Sequence, residues 1–575
     1  MIISMVYRRP KFIKEEQFSM KKSVRFLALI ISVLLLFSTI TGCSGSQKDD
    51  GKTGIKTEKS ASNSAESGNG GVEPLTMPIT KEKLDLTFFI ALDAKVGATM
   101  KTFNEIAAFK EMEKISGIHI VFQHPPIGQE QEQFNLMLAS QNLPDIIYTT
   151  WLNVPGGPAK AIEDNSILKL NDAVNKYAPN FKKDLDGSGE SRKQFILDDG
   201  SIFMFPMMWL DPLVRVTQGL NIRKDWLDKL GLNMPATIDD WYTVLKAFKE
   251  KDPNGNGSAD EIPFATTKVS DFKQLSGAWG IDAYDGFYQD KGKIKYSVLE
   301  PKYKDYLATM AKWYKEGLID PEYMSVDSKN FDAKITGNKV GAFVGSVSGN
   351  MGRYMNLMAP KDPKFQLAGV PWPSGDAGKP YVAYAGNIKA TPGHGAALGA
   401  KNKHVKESVK WLDYFHTDEG HNLFTYGIQG ESYVMKDGKP TFTDKVLKSP
   451  EGLSIDQAVS KYCLPHAPIP IVRDPEAFKQ IQLALPVQKE AVTAWGKADT
   501  SLLIPTLTPT RDESSRIAAI MNEVTTYENE FTTKIIMGAE PMSNFEKHVN
   551  NIKGMGIDEA VKIMQAAYDR FNARK

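Results

Sequence analysis

Cysteine is nearly missing from this chain: Cys43 and Cys463 are the two in 575 residues. At most one intramolecular disulfide is possible, and none if Cys43 is committed to other chemistry. Net charge is nearly missing too, with 70 basic against 69 acidic residues. Broad nucleic-acid binding needs a basic stripe that displaces phosphate counterions, so that class is excluded. The nucleophile elbow G-x-S-x-G, the phosphate loop and the zinc motif H-E-x-x-H do not occur. The eight histidines show no metal-ligand spacing; His416 and His421, five apart, would not share a helix face. Repeats of solenoid period are absent. The chain is too long for one ordinary core, so two lobes plus tails are expected.

One long apolar run exists, Phe26 to Ile40, preceded by Lys21, Lys22 and Arg25. At about fifteen residues it is short for a membrane span and suits the centre of a signal peptide. Ile40-Thr41-Gly42-Cys43 follows at once and resembles the bacterial lipobox, in which the thiol receives a diacylglycerol and cleavage leaves the cysteine first. Residues 1–42 are thus read as a signal peptide with its natural start at Met20, residues 1–19 being superfluous. Residues 43–83 are read as a lipidated tether, because Ser, Gly, Lys and Asp dominate it to Gly71 and cannot bury a core. With Cys43 lipidated, Cys463 is left as a small buried apolar residue.

From Leu84 the pattern is α/β. Leu84–Ile90, His119–Phe122 and Asp145–Tyr148 read as strands, separated by helices over Phe103–Ser116 and around Phe134–Ala139. Such alternation predicts a mostly parallel sheet with ligand crevices at the carboxyl ends of its strands. Thr237 reads as the cap of a helix carrying Trp241, Leu245 and Phe248, with Asp240 completing the cap. A helix from Val405 through Phe415 is expected to stop at Gly420. A last helical pair is expected over about Ile517–Met537 and Ile557–Asn572.

Asp252, Asn254, Asn256, Ser258, Asp260 and Glu261 place oxygen ligands at alternate positions around Gly257, the spacing of an EF-hand calcium loop. Pro263 stands where that loop has its bidentate glutamate, so Glu261 would take the role. A plain Asn/Gly turn before the strand Ile262–Ala265 explains the same residues.

The ordered set LPDIIYTTW (143–151), NIRKDWLDKLG (221–231), PATIDDW (235–241), DPNGNGSADEIPF (252–264), WYKEGLIDPE (313–322), GNKVGAFVG (337–345), VKWLDYFHTDEG (409–420) and YGIQGESY (426–433) resembles the family 1 extracellular solute-binding proteins, sugar receptors of ABC importers. More narrowly it is similar to the large LplA-type lipoproteins and the alginate-binding receptors. The resemblance implies an α/β fold of the type II periplasmic-binding-protein kind, with two lobes around a hinged cleft. It implies one lobe over 84–213 and 388–440 and another over 214–387 and 441–575, a structural Ca2+ in the 252–261 loop, and no catalysis. It further implies a sugar or oligosaccharide ligand, two permease subunits and a separate ATPase as partners, and a lipid-anchored place on the outer face of the cell membrane, of Gram-positive type.

Sugars present apolar C–H faces and rings of hydroxyls, so a receptor needs aromatic platforms and planar polar groups. Trp151, Trp209, Trp279 and Trp372 lie in loop-like contexts and are candidates for the cleft, though simple packing explains each as well. Trp226, Trp241, Trp313 and Trp411 read as helical core. Polar candidates are Asp145, Arg223, Asn387, Gln429 and Glu431; Arg223 would serve equally as a salt-bridge partner. A lipid-anchored carbohydrate-active enzyme and a sugar-sensing receptor for a signalling partner stand as alternatives.

Overall fold

The computed structural model describes residues 71–575 apart from 267, 466 and 467. The signal peptide, Met20, Cys43 and most of the tether lie outside the described residues. In chain order the strands are β1 (Leu84–Phe89), β2 (Ile118–Gln123), β3 (Ile146–Thr150) and β4 (Phe205–Pro206). Next come β5 (Gln218–Arg223), β6 (Ile262–Ala265), β7 (Phe287–Asp290), β8 (Lys293–Tyr296), β9 (Val340–Ser346) and β10 (Leu367–Val370). β11 (His394–Leu398), β12 (Tyr433–Lys436) and β13 (Lys439–Phe442) complete the set.

Two sheets organise two cores. The first has the order β2-β1-β3-β11-β4 and the second β10-β5-β9-β6. β2 and β3 flank β1 in parallel, Leu84 facing Ile118 and Phe88 facing Ile146. β11 runs antiparallel to both β3 and β4. In the second sheet β6 and β9 are parallel, while β5 is antiparallel to both its neighbours. The expected mostly parallel sheet is therefore corrected to two mixed ones. β11 joins the first sheet only after the chain has built the second, so no β-helix-β crossover dictates its direction.

Leu86, Phe88, Ile118, Ile146, Trp411 and Phe424 fill the first core, and Leu220, Trp241, Phe264, Tyr306 and Trp313 the second. Phe442, Val446, Val459, Ile471 and Ile481 also belong to the first core. These residues of the stretch 442–481 thus pack with the first core, while Phe478 joins Val340 and Phe343 of the second sheet; the expected division gave 441–575 to the second lobe. Cys463 is fully buried there, and its thiol donates to the Thr425 carbonyl at 3.2 Å.

Three crossing segments lie side by side between the sheets. The Met207 amide donates to His394 O (3.2 Å), Trp209 to Ala390 O (2.7 Å) and Met208 to Ile471 O (2.9 Å), while Arg473 N donates to Met208 O (2.8 Å). Hinge closure around a cleft is absorbed by a few residues at the ends of elements, which is where these hydrogen-bonded crossings lie.

Local signals explain most helix ends. Thr237 and Asp240 form a reciprocal capping box on the helix Ile238–Glu250, with 3.0 and 3.1 Å bonds. The expected helix over Phe103–Ser116 starts later: a short 3-10 turn, Phe103–Glu105, precedes the helix Ala107–Ser116. Gly420 is no terminator. The Val405–Asp413 helix passes through a 3-10 turn, Thr417 caps a second helix, Asp418–Tyr426, and Gly420 lies inside it. A Cβ at Gly420 would come within 1.7 Å of the Tyr414 carbonyl oxygen, so close approach is what selects glycine there. The final region holds three helices, Arg511–Ile536, Phe545–Gly554 and Ile557–Ala573.

His548 sits between two of these helices, 1% exposed, its ring stacked 3.7 Å from Phe531, and neither ring nitrogen has a partner. Burial lowers its pKa to about 4. The fold accepts only the neutral imidazole, so its contribution is complete above the ordinary histidine value and is lost as pH falls from about 6.5 toward 4. Urea midpoints should fall over that window, and His548→Phe should flatten the fall; an identical slope in both proteins would refute the assignment.

Candidate functional site

At the carboxyl end of β3 the chain turns sharply through Trp151–Asn153, and residues 152–158 form one wall of a cavity of about 670 Å³. The opposite wall is formed by Asp285, Phe287, Ala385, Lys389 and the segment Ile504–Pro509. Its size lies within the ~300–1,000 Å³ typical of small-molecule sites. The lining is largely aliphatic, with Pro155, Pro158, Pro392, Pro505 and Pro509 beside Leu152, Ile504, Leu507, Ile517 and Met564. Asn153, Thr506, Thr508 and Ser514 supply neutral hydrogen-bonding groups. Gly157 approaches from the first lobe so closely that a Cβ would stand 3.2 Å from Ser514 Oγ, and its φ of +72° also favours glycine.

A second, polar cavity of about 320 Å³ opens at the carboxyl end of β9, lined by Gln218, Lys268, Asp271, Ser346, Asn350 and Arg353 among others. Asn350 Oδ1 accepts from the Ser346 amide (2.9 Å) and hydroxyl (3.1 Å), which fixes the turn leaving the strand. Tyr284 and Tyr384 line neither cavity but lie next to residues that do. Their rings meet edge to face at 5.4 Å, Asp285 and Ala385 follow them into the larger cavity, and Tyr384 bonds Thr217 beside Gln218. Burial pushes the Tyr284 phenol up to about 12, so it stays protonated and can donate to a ligand oxygen.

Asp285 is held by two contacts: its Oδ2 accepts from the Ala385 amide at 2.8 Å, and Oδ1 lies 3.8 Å from Lys389 Nζ. Beneath it, Asp282 is fully buried, and burial followed by the Asp285 charge pushes its carboxyl well above the usual carboxylate range.

The structure places the expected ligand residues unevenly. Trp151 is 0% exposed, donates from Nε1 to Gly395 O at 2.9 Å and meets Phe134 edge to face. Trp279 packs on Tyr306, and Trp372 is buried in the same second core. These three rings face protein, which corrects their expected place on the cleft surface. Trp209 is half-buried on the hinge, its indole N–H directed at Met207 Sδ and its ring 5.4 Å from the Arg473 guanidinium.

Asp145 stands at the amino end of β3, away from the crevice, and spends its carboxylate on the Thr87 amide and hydroxyl (2.9 and 2.7 Å). Arg223 is 1% exposed at the far end of β5, bonded to Asp225 and sandwiched between Trp226 and Phe365 at 4.5 and 4.4 Å. Both are structural ties here. Gln429 and Glu431 stand exposed beside the β12–β13 hairpin and line neither cavity. Asn387 lies half-buried in the turn that follows Tyr384, its Oδ1 without a partner. Tyr284, Tyr384, Asp285 and Lys389 were not singled out from sequence; their roles arise from segments a hundred residues apart.

The acidic loop is tightly wound. Asp252 Oδ1 accepts from Gly255 N (2.8 Å) and Asn256 N (3.1 Å), Oδ2 accepts from Gly257 N (3.0 Å), and Asn256 Oδ1 accepts from Ser258 N (2.7 Å). Asn254 and Asn256 turn amide N–H groups to Asp260 Oδ1 (3.2 and 3.0 Å). Among the described residues no three His, Cys, Asp or Glu side chains stand as a finished metal site. Yet both oxygens of Glu261 are buried, and burial, then the charges of Asp252 and Asp260, raise its pKa against the backbone amides of Glu261 and Asn254, which lower it. A buried carboxylate facing two others is the environment a hard cation relieves, and the amide and carbonyl oxygens around it suit calcium.

No helix among the described residues is long and apolar enough to cross a membrane. A family model described as bacterial extracellular solute-binding protein matches residues 94–422. The chain is 31% identical over 375 residues to the fructooligosaccharide ABC transporter substrate-binding protein FusA of Streptococcus pneumoniae, covering 61% of this chain and 64% of that one. It is 27% identical over 345 residues to the polygalacturonan/rhamnogalacturonan-binding protein YtcQ of Bacillus subtilis, covering 59% and 65%. The matches thus span somewhat under two thirds of these two relatives. Among solved structures, that of alginate-binding protein AlgQ2 without calcium ion superposes with a TM-score of 0.70 at 27% identity, over 85% of this chain and 99% of that one.

Proposed function

We infer that this chain, which belongs to the bacterial extracellular solute-binding protein family, is the receptor that captures an oligosaccharide between its lobes for an ABC importer. The observation that carries this is the 670 Å³ cavity between residues 152–158 of the first lobe and 504–509 of the second, aliphatic on its walls with the aromatic ring of Phe287 among them. Aliphatic and aromatic surface suits sugar C–H faces, while Asn153, Thr506 and Ser514 suit hydroxyls. Contacts from both lobes favour the shut form, so ligand binding and closure are one equilibrium. Similar proteins are substrate-binding proteins rather than enzymes, and FusA and YtcQ bind oligo- and polysaccharides by name.

Delivery would go to two permease subunits driven by a separate ATPase. Cys43 would carry the lipid that holds the receptor at the outer face of the membrane. Asp252, Asn254, Asn256, Ser258, Asp260 and Glu261 would hold a calcium ion, which supplies charge neutralisation and ties the loop to β6. AlgQ2, described without its calcium ion, supports looking for one here.

Titration calorimetry with a glycan panel tests the reading. One or more oligosaccharides should bind saturably without turnover. Phe287→Ala or Ile504→Ala should weaken that binding roughly tenfold, each side chain lining the cavity and supplying about 1–2 kcal/mol. Unchanged affinity in both variants would remove these side chains from the site, and a panel without any binder would remove the function.

A further inference from the structure

We propose that the cleft selects uncharged oligosaccharides and rejects uronate chains. This rests on the sugar-receptor reading and concerns the chemical class of ligand within it. Among the described residues, Asp285 and Lys389 are the only ionisable side chains lining the larger cavity, and they face each other at 3.8 Å. The smaller cavity carries two cations and two anions. Arg353 is bonded to Asp332, which also accepts from the Tyr354 hydroxyl at 2.6 Å. Lys268 shares a turn with Asp271, whose amide donates to the Lys268 carbonyl at 3.1 Å. Neither cavity therefore offers a surplus of positive charge.

A uronate oligomer carries one carboxylate per residue. Each would have to leave water, and an ion buried without a counter-charge loses several kcal/mol. Recognition of carboxylates needs guanidinium or ammonium groups free to form charged hydrogen bonds. A neutral glycan makes no such demand. Its hydroxyls both donate and accept, as Asn153, Thr506 and Ser514 do. The aliphatic walls take its C–H faces without leaving a charge unpaired.

The same geometry supplies the control. Asp285→Asn keeps an oxygen to accept from the Ala385 amide and takes away the charge facing Lys389, so it should create the cation that a uronate requires. Calorimetry on the full-length receptor would compare neutral tetrasaccharides (nystose, maltotetraose, cellotetraose) with tetragalacturonate and a guluronate tetramer. The expected result is binding of at least one neutral ligand, with uronates at least hundredfold weaker, and neutral affinity indifferent to added salt. Asp285→Asn should strengthen uronate binding about tenfold relative to binding of the neutral ligand by the same variant. Tighter binding of uronates by the native protein would overturn the inference while leaving sugar capture standing. Absence of binding by both classes would overturn the receptor reading itself. A uronate affinity unmoved by Asp285→Asn would show that the paired charges do not set the choice.

Discussion

Replacing Glu528 by alanine should lower the stability of the second lobe by about 3–5 kcal/mol, because it strands a buried ammonium. Lys273 Nζ lies 2.7 Å from Glu528 Oε1, and the two side chains are 8% and 4% exposed. Tyr303 also donates to Oε1 at 3.2 Å, and Tyr296 donates to Oε2. Three donors from two distant parts of the chain thus converge on one carboxylate. Lys273→Met alone should be comparably harmful, leaving the anion with only phenolic donors. The double variant Lys273→Met with Glu528→Leu should recover much of the loss, since an apolar pair of similar volume carries no desolvation cost. Urea unfolding followed by tryptophan fluorescence measures this directly. A double variant worse than both singles would show that the pair contributes net stability beyond mutual compensation.

Chelation should produce the second large effect. If calcium occupies the 252–261 loop, saturation at a hundredfold over its dissociation constant adds about 2.7 kcal/mol to the folded state, and EGTA removes it. Glu261→Gln should behave oppositely to most substitutions of a ligand: more stable than the native protein in chelator, unresponsive to calcium. The reason is the raised pKa of the Glu261 carboxyl, caused by burial and by Asp252 and Asp260. Without a cation, the stability tied to this group is present below the ordinary carboxylate range and is lost as pH rises through the raised value. In calcium-free buffer the melting temperature should therefore be higher near pH 4.5 than near pH 7 as far as this site contributes, and calcium should erase the difference. A melting temperature indifferent to calcium, to EGTA and to Glu261→Gln would end the proposal.

Much of this architecture is legible before folding is considered, because its causes are local. β1 to β3 declare themselves by runs of β-branched and aromatic residues, and Thr237 with Asp240 fixes a helix start by side-chain reach alone. What stayed hidden depends on parts of the chain that meet only in three dimensions. Gly420 resembles a helix stop until the Tyr414 carbonyl is seen against it. The direction of β11 follows from a return path that no local pattern encodes. Trp151 sits at the expected carboxyl end of a strand, but whether its ring turns outward is decided by Gly395 and Phe134, far away in sequence. Tyr284 and Tyr384 carry no distinguishing neighbours at all and become a pair only when segments a hundred residues apart fold together.

The position of β11 has a consequence for how the protein comes into being. It lies between β3 and β4, yet it emerges only after the whole second sheet has been synthesised. Until then β3 presents an open edge to its surroundings, the kind of edge that pairs with other chains. The first lobe closes late, through contacts of long sequence separation, which are slow to form. A chain of this topology profits from remaining unfolded, or escorted, until residues past Leu398 are free to join it; a nascent fragment ending near Arg223 should therefore aggregate where the finished protein does not.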